Sequence, residues 1–426
     1  MKASEPILRL PYRRGSVEYC LGSEADHEAV YQLLLHIFHA PDRESFLGAL
    51  NDPMYRPDRR ILVKVDGRIV SHLHMTERKI RYGSVHLPMN GVMWVGTLPE
   101  YRGMGFAQNL LKLADMRGKA TGCVIQTLTT SMPQFYRPLG WVECGGHSVG
   151  VTSSRNLPPM GDGLVEGKGA GAIWHVRPWR QVELGDLMKI YDQRFGRTTG
   201  SVVRDEEYWR WVIGRRYAHV IWVSCHGDRV RGYAFVKDHR ILEIAAEEAH
   251  PKALQALLGR VRSEAMERAY PEVVVHAPLN HPVMDVFVKA SGRVVEQEDW
   301  DGTTSMYHIC DVEGFLKAIL PELGRRARDA GADFPVEMGL TVDDRRWLIH
   351  VDEDPSKSRI EPDKLSRRHL TLSGSSMVRL ALGRVDFDQG LEHESIEAST
   401  ATAIDAARIL FPRDTVWRGA LDGATA

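Results

Sequence analysis

One continuous stretch, Val92-Met93-Trp94-Val95-Gly96-Thr97-Leu98-Pro99 followed at once by Glu100-Tyr101-Arg102-Gly103-Met104-Gly105-Phe106-Ala107, constrains this chain more than any other. An apolar run ends in Thr-x-Pro, a glycine-bearing turn follows, and a helical pattern opens without a gap. Ala107, Leu110, Leu111 and Ala114 recur at i, i+3, i+4 and i+7, the spacing of one buried helical face. The first turn of a helix leaves its N–H groups without internal partners, and the peptide dipoles add their positive end at the same place. A strand, a glycine turn and a helix in that order therefore predict an anion site. It suits a pyrophosphate that must approach the backbone closely.

The spacing excludes two common phosphate binders. There is no Gly-x-x-x-x-Gly-Lys-Ser/Thr, and the glycines do not follow Gly-x-Gly-x-x-Gly with a later acidic residue. What stands here is Arg-x-x-Gly-x-Ala, from Arg102 to Ala107. A second apolar run, Cys123 to Leu128, comes after the helix. Ser131 and Pro133 then signal the start of a short helix through Gln134-Phe135-Tyr136-Arg137, and Gly140 signals its stop. This order resembles the GCN5-related N-acetyltransferases, whose acetyl-coenzyme A loop reads Gln/Arg-x-x-Gly-x-Gly/Ala. The resemblance implies that the two strands part to admit pantetheine, and that a tyrosine on the short helix lies beside the thioester sulfur. Tyr136 falls at that place.

Composition bounds the rest. At 426 residues the chain predicts two or three domains. Its net charge of −1 gives no electrostatic footprint for nucleic acid or an anionic membrane. Five cysteines, odd in number and without a CxxC pair, indicate neither a disulfide framework nor structural zinc. The N-terminus lacks a signal-peptide core and no apolar run is long enough to span a bilayer, so a cytoplasmic protein is expected.

The expected fold is α/β (α+β), with tandem mixed sheets flanked by helices. Residues 16–152 carry the elements just described, with Asp66-Gly67 as a hairpin turn between Ile61–Val65 and Ile69–Leu73 and a first helix burying Val30, Leu33, Leu34, Ile37 and Phe38. A Pro- and Gly-dense stretch, Ser153 to Gly171, predicts a linker. Residues 173–302 repeat the element order at a shift of about 150 residues, which suggests a duplicated fold. The second copy has Glu247-Glu248-Ala249-His250-Pro251-Lys252 where the first has its glycines, and it lacks a counterpart of Tyr136. It is expected to be catalytically silent. Residues 303–426 open with a helix from Val312 to Ala327, expected to break or kink at Pro321, and resemble a sterol-carrier-protein-like domain.

Two acetyltransferase-like units, the second without the loop, followed by such a tail resemble the Eis (enhanced intracellular survival) acetyltransferases. That resemblance implies acetylation of primary amines on small polyamines or aminoglycosides, with acetyl-CoA as co-substrate, often in hexamers. By position it implies that Val95, Gly96 and Thr97 meet pantetheine. Arg102, Gly103, Met104, Gly105, Phe106, Ala107 and Gln108 would meet the pyrophosphate, and Ser131 and Met132 the thioester end. Tyr136 would be the general acid, and the terminal carboxylate, here Ala426, the general base, although the residues after Trp417 read as a flexible tail. The rival readings are a protein lysine or N-terminal acetyltransferase and a non-catalytic acyl-CoA or apolar-ligand binder.

Lesser signals remain. His72 and His74 share one face of a strand, and His36 and His39 one face of a helix, without a third metal ligand in sight, so no metal is expected. Tyr208-Trp209-Arg210-Trp211 reads as packing. Asp26 and Glu28 begin the first helix, where carboxylates suit the dipole. Phe46 and Tyr55 are candidate acceptor-pocket walls.

Overall fold

The computed structural model describes residues 6–12, 15–144, 147–159, 164–166, 174–297, 299–300, 302–389, 391 and 395–422. They form mixed sheets flanked by helices, in two compact units that do not follow chain order. The first combines residues 1–144 with 303–414; the second combines 145–302 with 415–423.

The main sheet of the first unit runs Pro6–Tyr12, Gly15–Leu21, Arg60–Val65, Arg68–Tyr82, Val85–Thr97, Ile125–Thr130 and Thr303–His308. Along this path only Val85–Thr97 and Ile125–Thr130 pair in parallel. The Asp66-Gly67 hairpin turn is present, with both residues at positive φ (50° and 81°), the backbone a two-residue turn of this kind requires. Helices His27–Phe38 and Phe106–Ala120 cover the sheet. Val30 and Leu34 from one, and Leu110, Leu111 and Ala114 from the other, are buried with Ile61, Val63 and Leu73.

The later segment of this unit adds a sheet ordered Arg359–Pro362, Arg345–Val351, Val336–Val342, His369–Leu372, Ile396–Ala398. Its helix Val312–Asp329 continues unbroken through Pro321, where the sequence suggested a break or a kink. Proline removes one donor, but Phe315, Leu316, Ile319, Leu323 and Ala327 are all fully buried and hold the helix on both sides of it. Glu322 on this helix accepts from Ser84 N–H (2.9 Å), Ser84 Oγ (2.8 Å) and Arg326 Nε (2.8 Å). Neighbouring Gly83 sits at φ 56°, and a Cβ there would overlap the Glu322 carboxylate. That close approach joins the segment to the hairpin Tyr82–Val85.

The second unit has one sheet, ordered Arg293–Gln297, His147–Ser153, Glu272–His276, Arg240–Ala246, Arg229–Lys237, Val220–His226, Trp174–Pro178, Leu164–Glu166. Helices Leu184–Phe195 and Pro251–Glu267 pack on it, and Tyr208 and Trp209 of helix Glu206–Gly214 are buried. His147–Ser153 thus precedes, in sequence, a sheet it helps to build. Thr303–His308 in turn completes a sheet begun long before it. Alternating apolar residues say that a strand forms but not which sheet accepts it. Within the Ser153–Gly171 stretch, Ser154–Asn156 form a 3-10 turn and Leu164–Glu166 a strand. The residues after Trp417 read as a flexible tail, yet Trp417 stacks on Phe195 (4.6 Å between centroids), and Leu421 and the Asp422 carboxylate are buried. Ala426 lies outside the described residues.

Candidate active site

The parallel strands Val85–Thr97 and Ile125–Thr130 pair only at Met89–Ile125, Asn90–Gln126 and Gly91–Thr127. Beyond Gly91 they separate, and a cavity of about 760 Å³ opens between Val92–Thr97 and Leu128–Thr130, lined wholly from the first unit. A bulge contributes to the parting. Leu73 on the neighbouring strand faces two residues, Trp94 and Val95, because the register shifts between His72–Gly96 and His74–Met93. Trp94 consequently sits at φ 54°, a strained place for a bulky residue.

At one end lies the glycine turn. Gly103 (φ 78°) and Gly105 (φ 75°) both occupy the left-handed region, and a Cβ added at either would meet nothing within 4 Å, so the turn faces open space. Gly105 caps helix Phe106–Ala120 without a side chain, and the helix ladder begins with Asn109 N–H to Gly105 O (3.0 Å). The earlier N–H groups of that first turn are left for a ligand. Gly96 is different: a Cβ there would come 2.9 Å from the Phe38 ring and 3.1 Å from Ile37, so a larger residue would displace those side chains.

At the other end, helix Pro133–Tyr136 opens with proline at its first position, and Gly140 at φ 82° ends the following turn. Tyr136 is buried but lines the cavity, between Phe135 (4.9 Å) and Trp141 (6.1 Å). Burial pushes its phenol up to about 12, against the opposing pull of a hydrogen bond with Thr130.

Of the sequence-predicted site residues, Val95, Gly96, Thr97, Arg102, Gly103, Gly105, Phe106, Ala107, Gln108, Ser131, Met132 and Tyr136 all line this cavity. Met104 does not; it is 36% exposed, because the turn directs its side chain away. Of two residues read from sequence as core, Ile37 packs against the core and also lines the cavity, while Phe38 forms its wall. Phe38 is 38% exposed with its ring edge-on to Trp94 (5.4 Å). Helical periodicity gives a shared face but not where the core under that face ends.

Phe46 and Tyr55 do not line the cavity. Both turn inward around the buried Arg60 guanidinium, which lies over each ring at 5.4 Å, and Tyr55 Oη accepts from Arg60 Nε (3.0 Å). Tyr55 Oη also bonds to His27 Nε2 (2.7 Å). Arg60 Nη1 donates to His72 Nε2 (2.9 Å). Burial, with the Arg60 charge, pushes His72 down to about 3 and His74 well below its ordinary value. Asp26 is buried, pairing with Lys64 (2.7 Å) and accepting from Ser23, while Glu28 pairs at the surface with Arg43 (2.6 Å). Among the described residues no three side chains are grouped to hold a metal. In the second unit, Glu247 pairs with Arg231 (2.6 Å), and His250 rather than glycine precedes helix Pro251–Glu267.

Residues 18–144 match the family described as an acetyltransferase (GNAT) domain. No curated protein matches the chain. Among solved structures it is similar to a GCN5-related N-acetyltransferase from Kribbella flavida (16% identity, 94% of this chain and 97% of that one, TM-score 0.72). It is likewise similar to one from Anabaena variabilis (16%, 94% and 98%, 0.73). A third is Eis1 from Mycobacterium abscessus (16%, 95% and 99%, 0.66). At these identities the likeness is one of fold.

Proposed function

We propose that the first unit transfers an acetyl group from acetyl-CoA to a primary amine by direct attack on the thioester. The observation that carries this reading is the continuous cavity from the glycine turn to Tyr136 between two parted strands. The pyrophosphate rests on the first-turn amides after Gly103, with Arg102 adding charge, and pantetheine runs past Val95, Gly96 and Thr97 toward Ser131 and Met132.

An alkylammonium with a pKa near 10.4 is about 3.4 units from neutral at pH 7, which costs about 4.6 kcal/mol per reactive amine. Once neutral, its nitrogen forms the amide bond, and a strand N–H around Val95 receives the developing oxyanion. The C–S bond breaks with its electron pair on sulfur, and sulfur takes the Tyr136 proton. The proton lost by the amine restores the phenol through solvent or a base. Among the described residues the cavity lining contains no carboxylate or imidazole. The second unit, with Glu247 and His250 where the first has glycines, is assigned no nucleotide.

Calorimetry with acetyl-CoA and thiol-release assays over a panel of amines test the reading. Stoichiometric binding that Gly105→Val abolishes supports it. Absence of acetyl-CoA binding by the folded protein overturns it.

A further inference from the structure

We infer that the acceptor is a monoamine carried on an aromatic or other apolar body, and not a polycation. The inference rests on the proposed acetyl-CoA site and concerns what that site acetylates. Once the glycine turn and the strand edges are given to the nucleotide arm, the cavity wall that remains is Ile37, Phe38, Met93 and Trp94, with Phe135 beside Tyr136 and the uncharged, hydroxyl-bearing Tyr101 and Thr303. Phe38 meets Trp94 edge-on at 5.4 Å and Phe135 meets Tyr136 at 4.9 Å. Such ring pairs present both faces and edges to a third ring.

Charge decides against the alternative. Arg102, already given to the pyrophosphate, is the one charged residue among the described residues lining the cavity, so no described carboxylate there receives an ammonium. A polyamine or aminoglycoside brings several ammonium groups, each of which must keep water or find a carboxylate when it is enclosed. Asp26 and Glu28, at the start of the helix that brings Ile37 and Phe38 to the cavity, are already engaged by Lys64 and Arg43 and do not line it. A single amine on an apolar body meets the opposite situation. Its body is sheltered by the rings, and the apolar wall disfavours the ammonium over the free amine, which is the nucleophilic form. The same wall that rejects a polycation thus assists the deprotonation the reaction requires.

The test is acetyl-CoA-dependent thiol release by the full chain with 2-phenylethylamine, spermidine and kanamycin, alongside calorimetry with acetyl-CoA. The inference expects kcat/KM for 2-phenylethylamine at least tenfold above both polycations. Phe38→Asp, at a half-exposed helix end where the fold tolerates charge, is expected to lower the 2-phenylethylamine value and raise that for spermidine at least tenfold, with acetyl-CoA affinity unchanged. Phe38→Ala, which keeps the wall neutral, is expected to lower the 2-phenylethylamine value without any gain for spermidine. A preference for spermidine or kanamycin, or acetyl-CoA binding with 2-phenylethylamine left untouched, overturns the inference while the nucleotide site stands. Failure to bind acetyl-CoA overturns both.

Discussion

His72 Nδ1 donates to the carbonyl of Trp94 at 2.9 Å, and this bond pins the bulge that shapes the cavity. The tautomer follows from Arg60, which can only donate and does so to Nε2, so the proton resides on Nδ1. His72→Phe would leave a buried guanidinium N–H and the Trp94 carbonyl without partners. The expected cost is about 1–3 kcal/mol of stability in denaturant titrations. Turnover is expected to fall by about tenfold to a hundredfold as the strand N–H groups shift from the thioester. His72→Asn, which can offer a donor to Trp94, is expected to recover part of the turnover, while acetyl-CoA affinity changes little in either.

The same burial sets an acid limit on stability. His72 and, in the second unit, His281 are each pushed down to about 3, largely by burial. Unfolded, they bind a proton near 6.5; folded, they do not until about 3. Their contribution is complete above 6.5 and is lost as pH falls from there toward 3. The slope is at most about 1.4 kcal/mol per pH unit for each histidine. Unfolding midpoints measured between pH 7 and 4 should fall steadily, and His72→Asn should flatten the slope. An unchanged slope in that variant would remove His72 from the account.

Tyr136→Phe should lower kcat at least about a hundredfold at saturating acetyl-CoA, with little change in its affinity. The phenol, pushed up to about 12, stays protonated throughout the usable range. Any alkaline fall of the rate below pH 10 must therefore belong to another group, and the rate profile against pH tests that separately.

The parts of this site that were legible in sequence are those built from local signals. The glycines of the turn, the apolar face of the following helix, and the proline and glycine bounding the Tyr136 helix each act on their own few residues. What stayed hidden depends on distant partners. A positive φ at Trp94 is imposed by register with Leu73, and nothing in the strand's own residues announces it. Phe38 looks like core until the neighbouring strand requires Gly96 beneath it. Thr303–His308 flanks Ile125–Thr130 although most of the second unit lies between them in the chain, and Arg60 draws Phe46 and Tyr55 inward by side-chain chemistry that periodicity does not encode.

Gly105→Ala isolates the backbone contribution at the turn. A Cβ there meets no protein atom, so the intrinsic penalty is only the left-handed conformation, about 1–2 kcal/mol. If the turn holds a diphosphate, the methyl also crowds the ligand, and KM for acetyl-CoA should rise about tenfold or more with kcat at saturation nearly kept. A loss of kcat without a change in KM would place the nucleotide elsewhere.

In the second unit, Arg204 is fully buried between two carboxylates, donating to Glu243 (3.0 and 2.6 Å) and to Asp422 (2.9 and 2.7 Å). Tyr233 Oη donates to Glu243 (2.9 Å), and the guanidinium lies 4.2 Å from the Tyr191 ring centre. Removing the cation by Arg204→Met strands two carboxylates in the interior, an expected loss of about 3–5 kcal/mol. Burial already holds Glu243 above its ordinary value, and without Arg204 both acids would take up protons more readily than in the unfolded chain. The deficit should accordingly shrink as pH falls from 7 toward 5, the reverse of the histidine effect. Chemical denaturation of both proteins at the two pH values reads it directly, and a deficit that grew on acidification would mean that the stranded acids are not what destabilises the variant.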